Sequence, residues 1–208
     1  MSKIAKNVHT VERFTKGEYV VLPSHGVGIF VERDEKDVLG TPVVCYKIHF
    51  ESDSMDVLIP EERLLNSGLR KLVSLEMANK IFEIINKPPR NQRGVWNKRM
   101  QEYDAKIYSG VLSNLAEVVR DGFICAIDSN KSYTERSRYK IALERVCSEM
   151  AIVLKQKPAE IEEKLISILR SVQDKTTAQE DEFDEEFEDI KPEQEEEDEV
   201  ASEERGNA

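Results

Sequence analysis

EYVVLPSHGVGIFVER, residues 18–33, consists of two apolar runs separated by a proline, a serine, a histidine and a glycine. EYVVLP and VGIFVER are rich in the β-branched and aromatic side chains that suit a pleated surface, and Pro23 to Gly26 supply turn chemistry between them. The stretch therefore reads as two short strands joined by a tight turn. Further on, a loop containing Gly40 and Pro42 precedes VVCYKIHF (43–50), and SMDVLIP (54–60) closes the set. Four or five strands in about 45 residues, each at hairpin spacing, predict a small SH3-like or Tudor-like barrel. Such a unit buries little core alone and gains from packing on a neighbour. Gly26 and Gly28 are assigned to a turn and a tight barrel bend.

After LLNSGLRK the apolar period changes from two to three or four. Ser74 caps a helix whose apolar face is Leu75, Ala78, Ile81, Phe82 and Ile85, ending before Pro88 and Pro89. Trp96, Met100, Tyr103 and Ile107 follow at steps of four, three and four, one helical face with Trp96 at its start. Leu112, Leu115 and Val119 continue the pattern over 111–127, weakened by Gly122. SYTE (132–135) matches a capping box of Ser132 with Glu135 before a long helix over 134–157, with Ala142, Val146, Met150, Val153 and Leu154 on one side. A last helix starts at Pro158, acidic early and basic late, as the helix dipole favours. The second part of the chain is thus expected to be all-helical.

Charge is distributed unevenly. The formal net charge is −11 over 208 residues, yet residues 171–208 hold 17 acids against 3 bases, a net of −14, which leaves +3 on residues 1–170. The stretch Glu180 to Glu204 has too few large apolar residues to offset the entropy of ordering, so the tail is expected to be disordered. Its simplest role is solubility, and a regulatory role is the alternative. Residues 87–100, by contrast, carry Lys87, Arg90, Arg93, Lys98 and Arg99 and no acid. A patch of this kind is a footprint for phosphate, or simply a solvated basic loop.

MSKIAKNVHT has no apolar signal region, and no run approaches a membrane span, so a cytoplasmic protein without membrane contact is expected. Cys45, Cys125 and Cys147 are odd in number and far apart, and read as reduced packing residues. Cys45 and His49 share a strand face but make too few ligands for a metal, and the histidines His9, His25 and His49 form no zinc motif. There is no Gly-rich phosphate loop, no nucleophile elbow and no paired-carboxylate pattern outside the tail. No catalytic residue, metal or cofactor is therefore assigned. A binding module is the expected class.

Trp96, the only tryptophan, admits two readings. Its spacing makes it the first core residue of its helix. Alternatively, an indole at a helix N-terminus among cations stacks on, or wedges against, a nucleobase while amides and cations hold phosphates. One ring face does not fully serve both.

Together these segments resemble a known family. FTKGEYVVLPSHGVGIF (14–30), YKIHF, LIPEERL, GLRKLVSLEMANKIFEIINKPP (68–89), VWNKRMQEYDAKIYSGVLSNLAEVVRDGF (95–123) and TERSRYKIALERV resemble, in order, the CarD/CdnL family of bacterial transcription regulators, over roughly residues 14–157. The barrel of that family is shared with the RNA-polymerase-interacting domain of transcription-repair coupling factors. The resemblance implies a non-enzymatic adaptor whose Tudor-like domain pairs with the lobe of the polymerase β subunit. Its helical domain would touch promoter DNA at the upstream edge of the transcription bubble. The tryptophan matching Trp96 is implied to wedge into the splayed minor groove and favour the open complex, with Lys98 and Arg99 on the backbone and Arg90 and Arg93 presenting that edge without reading sequence. Some relatives use a basic side chain on the last barrel strand against polymerase. Here that strand reads MDVLIP, with Leu58 where a cation would act, so Lys36 and Lys47 are the substitute candidates.

The expectation is an α+β chain: a flexible N-terminus (1–12), a Tudor-like polymerase-interacting barrel (13–67), a helical DNA-binding domain (68–172) and a disordered acidic tail (173–208). The partners expected are the RNA polymerase β subunit and promoter DNA, the latter without sequence preference, and the free protein is expected to be a monomer. One rival is a protein–protein adaptor with no direct DNA contact. The other is an enzyme, which would need a polar pocket.

Overall fold

The computed structural model describes residues 14–38, 40–90, 96–127 and 132–188. Strands β1 (Tyr19–Leu22), β2 (Gly26–Val38), β3 (Thr41–Phe50), β4 (Met55–Pro60) and β5 (Arg70–Lys71) form one antiparallel sheet in the order β4-β3-β2-β1-β5. The β1–β2 turn falls where Pro23 to Gly26 predict it, with Tyr19 opposite Ile29 and Leu22 opposite Gly26. Gly26 sits at φ +92, a left-handed value suited to glycine. Gly28 is needed for space: a Cβ there would lie 2.8 Å from both Ile48 Cγ2 and Phe50 Cε1. The register shifts between Phe30 and Glu32, a bulge at Val31 that bends β2. One face closes on Phe14, Val20, Leu22, Phe30, Tyr46, Ile48, Phe50, Ile59 and Leu64, the core of the barrel-like module.

Two features of the sheet go beyond the sequence reading. β2 and β3 run out to Val38 and Thr41 as a long hairpin arm that includes the charged run Asp34 to Asp37. Those side chains are poor strand formers, but pairing with Val43, Val44 and Cys45 supplies the ladder that propensity alone lacks. Arg70 and Lys71, read as a junction, form a fifth strand against Val20 and Val21.

Between β4 and β5 the chain makes a 3-10 turn (Glu61–Arg63) and the short helix α1 (Leu64–Ser67), ended by Gly68 at φ +71. Helices α2 (Leu75–Ile85), α3 (Trp96–Tyr108), α4 (Leu112–Ile127), α5 (Tyr133–Leu154) and α6 (Pro158–Glu188) follow. Ser74 caps α2 as expected, its hydroxyl accepting from the Met77 N–H at 3.2 Å. Ala78, Ile81 and Ile85 are buried, whereas Leu75, assigned to the same face, is 57% exposed. α4 lies at the centre: Leu112, Leu115, Ala116, Val118, Val119 and Phe123 are all buried in the helical core. Gly122 interrupts no helix, and seats the Tyr139 ring, whose Cδ2 would meet an added Cβ at 3.4 Å.

Ser132 caps α5, its hydroxyl accepting from the Thr134 N–H at 3.3 Å. The reciprocal half of the expected capping box is not made, because the Glu135 side chain is committed to Arg99. α6 begins at Pro158 as read, buries Ile161, Leu165, Leu169 and Val172, and keeps helical backbone to Glu188. The division into compact units falls between Val172 and Gln173. No helix among the described residues is long and apolar enough to cross a membrane. Cys45, Cys125 and Cys147 are buried and form no disulfide among the described residues. Residues 1–12, and Arg93, lie outside the described residues.

Candidate nucleic-acid interface

Trp96 opens α3, and the face that continues from it, Met100, Tyr103 and Ile107, is packed into the helical core. The indole does not follow them in. It is 42% exposed, against 4% for Met100 and 5% for Tyr103, so the reading of Trp96 as the first core residue fails at that position.

The neighbouring cations divide sharply. Lys98 is exposed. Arg99, one residue on, is turned inward: it ion-pairs and hydrogen bonds through Nη2 to Glu135 in the first turn of α5, with side-chain exposures of 22% and 4%. The Glu135 carboxylate raises the Arg99 pKa above its ordinary value. An arginine matched in this way to a buried acid has part of its guanidinium committed to the fold, which sets Arg99 apart from the exposed cations. A second pair continues along the same helices, Arg138 Nε and Nη2 each donating to Asp104 at 2.7 Å. Residue numbers rise together in the two pairs, so α3 and α5 run side by side in the same direction. Their N-termini, carrying Trp96 and the 78%-exposed Tyr133, therefore meet at one end.

Arg90 is anchored from α4. Asp121, 4% exposed, accepts from the Arg90 N–H at 3.1 Å and from Arg120 Nε at 2.7 Å. The Arg90 guanidinium remains 69% exposed, 3.6 Å from Glu117. Glu117 is held more closely by Lys106, at 2.8 Å, whose hydrogen bond, followed by its charge and those of Arg90 and Arg120, keeps the carboxyl below its usual range. Lys87 is exposed as well. Lys87, Arg90 and Lys98 are thus the exposed cations of the segment that contains the exposed indole. Asp121 was not singled out in the sequence, and Glu135 was read there only as half of a capping box. The available signal was a charged Arg120-Asp121 pair inside an otherwise apolar helix, which buried side chains tolerate only when paired.

At the barrel, the two candidate lysines are tied into surface ion pairs, Lys36 to Asp34 at 2.8 Å on the hairpin arm and Lys47 to Asp56 at 3.0 Å across β3 and β4. His49 also meets Asp56, Nδ1 to Oδ1 at 2.8 Å. The more open feature is β4 itself, which ends the sheet and exposes Met55 (38%) and Leu58 (49%).

A cleft of mixed lining, polar residues together with Val27, Ile141 and Ile152, is present as well. It has a volume of about 540 Å3 and lies between barrel and helices, lined by Ser24, His25, Asp53, Glu144, Arg145 and others. Ser24 Oγ lies 2.7 Å from His25 Nδ1, but the His25 ring packs at a tilt on Phe50 and no carboxylate among the described residues orients it. Among the described residues no group of three or more metal-ligating side chains occurs.

With this geometry in hand, comparison with known proteins agrees with the sequence resemblance. Residues 14–73 match the family described as CarD-like/TRCF RID domain, and residues 80–166 match CarD, C-terminal domain. The chain is 27% identical over 140 residues to a Bacillus subtilis (strain 168) protein named "Putative transcription factor YdeB", a match covering 67% of this chain and 92% of that protein. The first match spans the sheet and the second spans the helices that carry the Trp96 edge, in the order both halves take in the fold. The chain belongs to the CarD family of transcription-associated, RNA-polymerase-interacting proteins.

Proposed function

We propose that the protein binds the RNA polymerase β subunit through its barrel and holds promoter DNA at the upstream edge of the transcription bubble through the Trp96 edge, stabilising the open complex. The observation that carries this reading is the exposure of Trp96 at the head of a helix whose other apolar residues are core. A large aromatic left in solvent, in a segment whose Lys87, Arg90 and Lys98 are exposed, suits a base exposed by strand separation: stacking contributes about 1–3 kcal/mol per base, and the cations would hold the backbone without regard to sequence. Polymerase contact is assigned to β4, because an open sheet edge offers unpaired backbone groups to a partner strand and Met55 and Leu58 add apolar contact. Lys36 and Lys47 are secondary there, being already paired. Binding rather than catalysis is the role assigned, in the cytoplasm where polymerase works.

The test measures the full chain's affinity for forked and for fully paired DNA of the same sequence, beside its affinity for a β-lobe fragment. Preference for the fork together with binding to the fragment supports the proposal. Binding to the fragment with no DNA affinity at low salt would instead establish a protein–protein adaptor.

A further inference from the structure

Barrel and helices are joined by side chains that cross in both directions, and both crossings use one face of α5. Arg145 reaches into the β1–β2 turn, Nη1 donating to the Pro23 carbonyl at 2.6 Å and Nη2 to the Ser24 carbonyl at 2.7 Å. Nη1 also donates to the Ile107 carbonyl at 3.3 Å, so one guanidinium ties the turn to the end of α3. Four residues later, Glu149, 1% exposed, takes the Arg70 guanidinium in a fork at 2.6 and 2.8 Å and accepts from the Val73 N–H at 3.0 Å. Arg70 Nε meanwhile donates to the Gly110 carbonyl at 2.7 Å. Residues four apart on a helix share a face, so Arg145 and Glu149 together turn α5 toward the barrel.

The backbones fit closely at this seam. A Cβ added at Gly110 would come within 2.5 Å of Pro23 Cγ, and one at Gly68 within 2.8 Å. Forked and carbonyl-directed hydrogen bonds hold one geometry, whereas a purely apolar contact permits sliding.

The opposite end of α5 carries Glu135, the partner of Arg99 three residues beyond Trp96. Glu135 and Glu149 are fourteen positions apart on one helix, roughly 21 Å at about 1.5 Å per residue. We propose that α5 is a strut, with Arg145 and Glu149 as positioning residues that fix the barrel relative to the Trp96 edge. A protein held on polymerase through β4 then delivers its indole to one place on the DNA. A loosely linked helical domain would share out the same indole at the millimolar effective concentration of a flexible tether, and would lose orientation as it bound. The inference rests on the functional reading above, and goes beyond it by assigning function to residues that touch neither ligand.

Arg145→Met in the full chain removes the three carbonyl contacts and keeps an unbranched side chain suited to a helix. Hydrogen exchange at the His25 amide, which donates to the Leu22 carbonyl at 3.0 Å within the latched turn, reports whether the seam has loosened. The expected result is exchange at least tenfold faster, affinities for the β-lobe fragment alone and forked DNA alone within twofold of wild type, and promoter-complex lifetime shortened at least tenfold. Arg145→Lys, which keeps one donor group, should fall between. Should Arg145→Met not fold, Glu149→Gln is measured by the same criteria. An unchanged lifetime with accelerated exchange would overturn the strut, and so would unaltered exchange. Absence of binding by the wild-type chain refutes the functional reading itself, and is seen before any substitution is made.

Discussion

The seam between barrel and helices and the edge at the head of α3 are built from the same residue types and use them in opposite ways. At the seam, Arg70, Arg145 and Glu149 are turned inward and answered by a carboxylate, carbonyls and an amide from across the interface. At the edge, Lys87, Arg90, Lys98 and Trp96 face solvent, while Asp121, which accepts from the Arg90 amide, and Glu135, the partner of Arg99, are buried. A charge taken out of water must be matched within the protein, and one left in water is available to a partner. Adjacent residues show the distinction most clearly: Arg99 belongs to the fold and Lys98 to the surface.

Substitutions can break this contrast, and the largest effect is expected at the seam. Glu149→Ala leaves the Arg70 fork and the Val73 amide without their acceptor, and should cost about 3–4 kcal/mol in a urea melt. A loss under 1 kcal/mol would mean that water satisfies the seam and the latch is ornamental. Arg99→Ala comes next. It strands the buried Glu135 carboxylate and should cost about 2–3 kcal/mol, with the salt dependence of DNA binding unaltered. Lys98→Ala should do the reverse, leaving stability within about 0.5 kcal/mol and reducing the log-log salt slope by about 1 if the lysine neutralises one phosphate. If the two arms exchange outcomes, the inward and outward assignments are wrong.

A smaller effect sharpens the barrel side. Glu18 accepts from Lys71 on β5 at 2.7 Å and from the Thr15 amide and hydroxyl, and these contacts, Lys71 foremost, pull its carboxyl from 4.5 to about 2. The folded carboxylate therefore holds its proton less tightly than the unfolded one. The contribution is full at neutral pH, declines as pH falls below about 4.5 and is gone near 2. Glu18→Gln should flatten that part of the stability curve and leave the neutral region parallel to wild type.

How much of this was legible in the sequence varies with the kind of signal. Apolar periodicity located the barrel strands and every helix from Ser74 onward, because burial of a face is a local, repeating demand. The arm of β2 and β3 escaped notice, since Asp34 to Asp37 are strand only through their cross-strand partners. The same periodicity misled at Trp96 and at Leu75, which spacing assigns to the core and the fold leaves exposed; at Leu75, directly after the Ser74 cap, the chain has not yet turned enough to bury the position. The cations around Trp96 were found by composition. Which of them stay free was not, because Glu135 is 36 residues from Arg99 and only the packing of α3 on α5 brings them together. The seam was illegible for the same reason: nothing local to Arg145 announces three carbonyls contributed from β1–β2 and α3.

The central claim is that Trp96 is an exposed reader of opened DNA and no part of the core. Its most direct test is Trp96→Ala, with thermal melts run beside promoter-complex lifetimes. The account predicts a stability change of about 1 kcal/mol or less, far below the about 3–5 kcal/mol of a buried aromatic, together with intact polymerase binding and a markedly shorter lifetime. A mutant that melts several kilocalories early, yet sustains open complexes normally when folded, would contradict it.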